Sequence, residues 1–383
     1  MWDTLQAVVA AVESGYVPGR TLPAAWYTEP SWFELEHERI FERSWQYVGW
    51  LGKLSSPGSF LTTTVGRIPL VVARGADGEL RALVNVCRHR GSQVVLEECG
   101  SRKTFQCRYH AWTYNLDGTL RSAPRLDDVA VSDEDLHLER IRLETVGPFV
   151  FVCADPGAES LSTLAAAWQP LLTESGLRHD DLVLRETRAY DVQANWKVLA
   201  ENFLECYHCP VSHRDFSTLI DLDRYEGKVH SDVFWHFGSS ARAAAVAENR
   251  HGVGDLPADR RNLWNFVLWP NFMANIYPGP GNISTNRLVP LAADRTLAIY
   301  DFYFEPGASD RQVQENVEFI HTVQQEDVAL CESVQRGLRS GRLERGRLVE
   351  PEVFLDRFVW QVARLMTDED AAAAPALPDV ASL

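Results

Sequence analysis

Two short strings constrain this chain more than anything else in it: CRHRG at 87–91 and CRYHAW at 107–112. Each supplies one cysteine and one histidine, first as Cys-x-His and then, after a gap of seventeen residues, as Cys-x2-His. Thiolate is the soft donor that holds iron–sulfur clusters, and neutral imidazole can replace it on one of two irons. Cys87, His89, Cys107 and His110 are therefore the ligand set of a [2Fe–2S] centre with both imidazoles on the same iron. Such a centre carries less negative charge than an all-thiolate one and is reduced more easily. A Cys2His2 zinc site uses the same residue types, but zinc sites more often pair Cys with Cys and His with His. Tyr109 and Trp112 either shield the cluster or serve as ordinary core aromatics.

A second constellation lies in NWKVLAENFLECYHCPVSH, residues 195–213. Gln193–His208 contains no Pro or Gly and reads as a helix. On it Glu201, Glu205 and His208 share one face. His213 follows after Pro210, which is expected to end the helix. Two histidines at this spacing can reach one metal, and a carboxylate completes the two-His-one-carboxylate triad of non-haem Fe(II). The long helix expected over 311–338 offers Glu326 and Asp327. Its apolar stripe runs Val317, Ile320, Val323, Cys331, Val334, Leu338, and position 327 falls on it. A carboxylate on a buried stripe needs a partner, so Asp327 is the expected third ligand. Glu326, about 100° away, is expected to be solvated or hydrogen-bonded. Cys206 and Cys209 flank His208 and raise a zinc alternative. On a helix, however, Cys206 and His208 fall on different faces, and the cysteines read as small buried residues.

The rest of the chain supplies context. Short β-like runs separated by turns fill Trp45–Ala154, and the second half mixes strand-like runs with helices. The fold class is accordingly α+β. An N-terminal helical segment (1–44) packs on the catalytic domain. An all-β cluster domain (45–155) is followed by an antiparallel-sheet catalytic domain of helix-grip type (156–367) and a weakly ordered tail (368–383). The formal charge of −16 repels phosphate backbones and disfavours nucleic acid as a partner. No apolar run is long enough for a membrane span. The first seventeen residues read as an amphipathic helix, without the basic start of a signal peptide. Seven cysteines, an odd number, argue against a disulfide framework and for the cytoplasm.

Almost the whole chain resembles the oxygenase (α) component of the Rieske non-haem iron oxygenases. The resemblance is carried by WYTEPSWFELEHERIFERSWQYVG, CRHRG, CRYHAWTYNLDGTL, NWKVLAENFLECYHCPVSH and QQEDVALCESVQRGL. It implies a Rieske [2Fe–2S] cluster on Cys87, His89, Cys107 and His110, and mononuclear Fe(II) on His208, His213 and Asp327. It also implies a head-to-tail homotrimer in which an acid three residues before the first iron histidine bridges the two metal sites. That acid is Asp in most ring hydroxylases and Glu205 here. Glu205, with ENFLECYHC, WPNFMANIYPG and EDVALCESVQRGL, makes the chain most similar to the branch acting on glycine betaine, choline, stachydrine and carnitine. Trp235, Phe237, Trp264, Phe266, Trp269 and Tyr277 are candidate walls of a cation–π cage for a methylated ammonium.

The activity so implied is a monooxygenase that uses O2 to hydroxylate a substrate C–H bond, with electrons passing from the cluster through His89 or His110 and Glu205 to His208. On an N-methyl carbon the product releases formaldehyde. Asn202 either orients a ligand near the iron or packs its helix. With neither a G-x-G-x-x-G fingerprint nor a plant-type ferredoxin spacing, the chain is expected to depend on a separate NAD(P)H-dependent reductase. The rival readings are an aromatic-ring hydroxylase or O-demethylase, a Rieske electron-transfer protein, and a zinc-stabilised binding module.

Overall fold

A computed structural model of the chain describes residues 15–127 and 133–367, together with the backbone of Ala381–Ser382. The helix expected over the first seventeen residues and most of the tail expected after 367 lie outside the described residues. The chain divides into two units, Phe41–Thr163, and Met1–Ile40 with Leu164–Leu383.

The first unit is built on strands β1 (Gln46–Trp50), β2 (Ser59–Val65), β3 (Ile68–Arg74), β4 (Leu80–Val84), β5 (Cys99–Ser101), β6 (Phe105–Gln106), β7 (Thr113–Tyr114), β8 (Leu120–Ser122), β9 (Arg140–Val146) and β10 (Phe149–Cys153). Seven form one sheet in the order β1-β10-β9-β4-β3-β2-β5, and β6-β7-β8 form a small second sheet. The main sheet buries apolar residues on both faces. Val48, Leu61, Leu70, Val72 and Val150 lie in one cluster, and Phe60, Val71, Leu83, Phe105 and Tyr114 in the other. Alternation along β3 sends Leu70 and Val72 one way and Val71 and Ala73 the other, as strand geometry requires. The loop after β4 carries Cys87 and His89, and the β6–β7 turn carries Cys107 and His110.

The second unit holds an antiparallel sheet of β11 (Val183–Val192), β12 (Glu226–Val229), β13 (Phe234–Ser240), β14 (Asn262–Leu268), β15 (Phe272–Ile276), β16 (Asn282–Ala292), β17 (Arg295–Phe304) and β18 (Ala381–Ser382). The order is β11-β17-β16-β15-β14-β13-β12-β18. Its labelled helices are α1 (Pro30–Glu36), α2 (Trp196–Phe203), α3 (Cys209–Ser212), α4 (Asp310–Arg339) and α5 (Val353–Thr367). α2 packs against both β16 and α4. The Asn195 side chain caps α2 by accepting from Lys197 N at 3.0 Å, and its Nδ2 donates to Ala293 O at 2.6 Å. That pair of bonds pins the helix start to the sheet. Ser309 and Gln312 form a capping box at the start of α4, the arrangement that satisfies the first free amides of a helix.

Three sequence expectations need correction. The helix expected over Gln193–His208 spans only Trp196–Phe203, so Glu205 and His208 sit in a turn rather than on a helix face with Glu201. Pro210 opens the short helix α3 instead of closing a longer one, a position where a missing amide costs nothing. Val334 is 49% exposed, while Gln335 is 1% exposed and takes the inward position. Gln335 Nε2 donates to Tyr27 O at 3.0 Å and its Oε1 accepts from Asn195 N at 3.0 Å. Those backbone partners supply what a buried amide needs.

Within the same unit the N-terminal segment ties itself to α2 through buried polar groups. Glu36 and Lys197 are both fully buried and form an ion pair. The second Glu36 oxygen accepts from Trp196 Nε1 at 2.7 Å. Tyr27 OH donates to Glu201 Oε1 at 2.6 Å. Burial, against the opposing pull of the Tyr27 hydroxyl and Lys197, raises the Glu201 carboxyl to about 7.

Candidate cluster and metal centres

The two cluster-type loops share one backbone plan. Gly91 N donates to Cys87 O at 2.9 Å and Ala111 N donates to Cys107 O at 3.0 Å, so each loop closes four residues after its cysteine. The closing residues have positive φ, +76° at Gly91 and +61° at Ala111. Gly91 meets that demand without strain, whereas Ala111 bears a cost that a left-handed alanine normally carries. A buried amide braces the first loop: Asn85 Oδ1 accepts from Val94 N and Val95 N, and its Nδ2 donates to Val95 O at 2.7 Å.

The four candidate ligands divide by environment. Cys87 and Cys107 are buried, while His89 and His110 are exposed with ring centroids 4.6 Å apart. An asymmetric cluster with its thiolate iron inside and its imidazole iron at the surface fits this division. Burial pushes the Cys87 thiol up, so the free cysteine keeps its proton until a soft metal displaces it. Desolvation and the charges of His89 and Arg90 lower His110, and the neutral ring is the form that binds metal. Trp112 stacks on His89 at 5.0 Å and is buried, whereas Tyr109 is 56% exposed and lies against His110. Tyr114, not anticipated from the sequence, places its hydroxyl 3.3 Å from Cys87 Sγ while accepting from Arg88 N at 3.0 Å.

In the second unit, His208, His213 and Asp327 converge. His208 Nε2 and His213 Nε2 are 3.0 Å apart, and Asp327 Oδ1 lies 2.9 Å from His213 Nε2 and 3.4 Å from His208 Nε2. Ligands at right angles on an ion with bonds of about 2.1 Å would stand ~3.0 Å apart. The three donors thus describe one face of an octahedron, leaving the opposite face open. They fit the two-His-one-carboxylate site of non-haem Fe(II).

Each imidazole is oriented by an acid on its other nitrogen. Glu205 hydrogen-bonds His208 Nδ1 with one oxygen, while its second oxygen accepts from Tyr207 N and, at 3.3 Å, from His208 N. The carboxylate thereby folds the turn that ends α2 and fixes the ring it serves. Glu326 Oε2 lies 2.7 Å from His213 Nδ1, so the acid beside Asp327 on α4 is hydrogen-bonded and directs the second ring. With both Nδ1 atoms occupied, both Nε2 atoms face the metal position, the usual arrangement for metal-bound imidazole. Burial opposes protonation of His208, yet Asp327 and Glu205 raise it to about 9. Burial likewise opposes ionisation of Asp327, yet hydrogen bonds from His208 and His213 hold it below the usual carboxylate range. A metal entering this site displaces a proton.

Cys206 and Cys209 are joined in a disulfide, which corrects their reading as separate thiols. The turn after Phe203 brings their Cα atoms to 5.0 Å, within reach of a bridge. Joined sulfurs cannot act as thiolate ligands, and the zinc alternative loses its donors.

A pocket opens on the triad, walled in part by Asn202, Phe203, Phe216, Tyr225, Phe237 and Tyr277. A second pocket shares Asn202, Phe203 and Asp327 and reaches Met273, Tyr300 and Gln324. Of the six cage candidates only Phe237 and Tyr277 line the first pocket. Trp235 is fully buried and donates to Ser231 O, Phe266 packs on Trp168, Trp269 on Trp196 and Phe358, and Trp264 stacks over His236. Phe203, Phe216 and Tyr225 supply aromatic wall that sequence reasoning missed.

Comparison with known proteins identifies the assembly. Residues 44–133 match the Rieske [2Fe-2S] domain, and residues 179–368 match the ring hydroxylating alpha subunit catalytic domain. The chain belongs to the Rieske non-haem iron oxygenases. It carries a Rieske [2Fe–2S] cluster and mononuclear iron as its cofactors. It is 33% identical over 332 residues to the carnitine monooxygenase oxygenase subunit of Escherichia coli K12, covering 86% of this chain and 87% of that one. It is 30% identical over 346 residues to the chloroplastic choline monooxygenase of Amaranthus tricolor, covering 88% and 75%. The solved quaternary ammonium Rieske monooxygenase CntA in complex with L-carnitine superposes with a TM-score of 0.78 at 30% identity, over 94% of this chain and 97% of that one. Naphthalene 1,2-dioxygenase from Rhodococcus sp., 22% identical with a TM-score of 0.77 over 96% and 98%, shares the fold. Among the described residues of this oxygenase, no helix is long and apolar enough to cross a membrane.

Proposed function

We propose that this oxygenase hydroxylates a C–H bond of a quaternary or methylated amine, and that the preferred bond is N-methyl. The observation that carries the reading is the aromatic wall beside the triad: Phe203, Phe216, Tyr225, Phe237 and Tyr277 line one pocket with His208, His213 and Asp327. Aromatic faces attract a trimethylammonium group, which cannot donate a hydrogen bond and needs no counter-ion there. The carnitine and choline monooxygenase names of its relatives support the same class.

In this reading, the unit Phe41–Thr163 holds the cluster through Cys87, Cys107, His89 and His110, and the other unit holds iron through His208, His213 and Asp327. When bound, the two centres supply one-electron transfer and the binding and reduction of O2. The chain's own residues do the rest. Glu205 and Glu326 fix the two imidazole rings and hold their Nδ1 protons. The aromatic walls seat the ammonium so that an N-methyl carbon faces the open side of the triad and water is excluded. Asn202 borders both pockets and orients what lies between them. Hydroxylation of the N-methyl group gives N–CH2OH, which loses formaldehyde and leaves the demethylated amine. A separate NAD(P)H-dependent reductase supplies the electrons, the site works within a homotrimer in which Glu205 links to the neighbouring cluster, and the enzyme acts in the cytoplasm.

The test is oxidation of the chemically reduced holoenzyme under O2 with a panel of betaines, choline, carnitine and simple arenes, formaldehyde being assayed. Formaldehyde with a methylated amine is expected, and His208→Ala should abolish it while the Rieske absorption and EPR signal persist. Product from arenes alone would replace this reading with ring hydroxylation.

A further inference from the structure

We infer that the substrate of this site carries no carboxylate: its ammonium end rests on aromatic faces, and its other polar group is an uncharged hydrogen-bond donor such as an alcohol or an amide N–H. This rests on the proposed methylated-amine function and narrows it.

The first observation concerns cationic side chains. Among the described residues, neither Lys nor Arg stands in the walls of the two pockets at the triad, and the acids there are Glu205 and Asp327. Asp327 is taken up by the iron and Glu205 by His208, so what a carboxylate drawn into these pockets lacks is a guanidinium or ammonium to replace its lost hydration. A groove of ≈ 730 Å³ beside them does contain Arg311, but it meets the first pocket only at Tyr277. The Arg311 side chain is 84% exposed and lies 3.9 Å from Glu315. It is a solvated surface charge, unsuited to anchoring a buried anion.

The second observation concerns what the walls lack. Asn275 lines the pocket and is 2% exposed, yet its Oδ1 is buried with no hydrogen-bond partner. Its Nδ2 is directed elsewhere, to Asn286 Oδ1 at 3.4 Å. In register beside it on one side is Asn265, whose Nδ2 already donates to the Tyr225 hydroxyl. On the other side is Ser284, whose buried Oγ also has no partner. A buried amide oxygen without a donor is a costly vacancy, and it can only accept. A carboxylate cannot fill it. A hydroxyl or amide N–H on the substrate can. The pocket therefore discriminates by leaving an acceptor unpaired and offering no cationic side chain, and Asn275 is its specificity-determining residue.

The test uses matched pairs on the holoenzyme: glycine betaine against its methyl ester, L-carnitine against its methyl ester, and choline as the ammonium that carries a hydroxyl and no carboxylate. Affinity is measured by calorimetric titration, and the substrate-stimulated oxidation rate of the reduced cluster is followed in parallel. Choline and each ester should bind at least tenfold more tightly than the corresponding acid, a difference of about 1.4 kcal/mol. An acid that binds as tightly as its ester overturns the inference while leaving the methylated-amine function standing. If no ammonium compound binds and arenes do, that function fails and the inference with it. The Asn275→Ala variant is read by the ratio of choline to tetramethylammonium affinity, which cancels any loss of folded protein. The ratio should fall at least fivefold, and an unchanged ratio removes Asn275 from recognition.

Discussion

Replacing Glu36 by Gln isolates the buried ion pair that ties the N-terminal segment to α2. Glu36 and Lys197 are both fully buried, and Glu36 also accepts from Trp196 Nε1 at 2.7 Å. Gln has nearly the same volume, and its carbonyl oxygen can keep the Trp196 bond. What changes is that the Lys197 ammonium loses its counter-ion at a fully buried position. Removing one member of a buried pair costs about 3–5 kcal/mol. Burial already lowers the Lys197 pKa against the pull of Glu36, so part of the penalty is relieved by loss of the lysine proton. We expect Glu36→Gln to lower the melting temperature by about 10 °C, using roughly 2–4 °C per kcal/mol for a unit of this size. Calorimetry on the holoenzyme, with iron content measured in parallel, is the assay. The double variant Glu36→Gln/Lys197→Met replaces the charge with an apolar chain of similar length and should recover most of the loss, to within about 1 kcal/mol of the parent. A single variant that costs less than about 1 kcal/mol, or a double variant no better than the single, would refute the reasoning.

Tyr114→Phe removes the hydroxyl beside Cys87 Sγ and should lower the cluster potential by several tens of millivolts, given about 59 mV per tenfold change for one electron; an EPR-monitored redox titration with an unchanged midpoint would contradict it. Glu326→Ala frees the His213 Nδ1 and should weaken Fe(II) binding about 10–100-fold, with the cluster absorption intact in the same titration. Glu201 has a folded pKa raised from 4.5 to about 7, so its contribution to stability is fully present below pH 4.5 and is lost as pH rises through 7. Glu201→Gln should accordingly abolish a fall in stability on the order of 3 kcal/mol across that window, and urea midpoints with the same pH slope in both proteins would count against it.

How much of this was legible beforehand depended on how locally each feature is encoded. That Cys87 and His89 would stand with Cys107 and His110 was readable because they sit in two tight loops whose spacing is itself the signal. That Asp327 rather than Glu326 would approach both Nε2 atoms was readable because α4 is long enough for periodicity to choose between adjacent acids. The end of α2 was not, since nothing in 193–208 breaks a helix; the turn forms because the Glu205 carboxylate captures the amides of Tyr207 and His208, a competition that side-chain acceptors can win. The pocket walls were illegible for a different reason. All five residues of β15 are buried, so this strand lacks the apolar–polar alternation that would reveal which face looks at the metal. Gln335 displaced Val334 from the inner stripe through partners distant in sequence, which no local pattern contains.

The split of the iron-binding unit across the chain sets an order of events during synthesis. Tyr16 OH and Gly19 N both bond the Asp356 carboxylate, and Arg39 Nη1 donates to Met366 O at 2.8 Å, so the two ends of this unit complete one another. Between them the ribosome must deliver everything from Phe41 to Glu352, which at roughly 5–20 residues per second takes tens of seconds. Until α2, α4 and α5 have all been made, the apolar surfaces of Trp26, Tyr27 and Trp32, buried in the finished protein, lack part of their cover and are open to chaperones. The unit Phe41–Thr163 suffers no such delay. It is whole once Thr163 has left the exit tunnel, while α4 and Asp327 are still unmade. The iron–sulfur assembly machinery can therefore meet a folded client on the nascent chain, whereas the mononuclear site has to wait for Asp327, the last of its three ligands to be made.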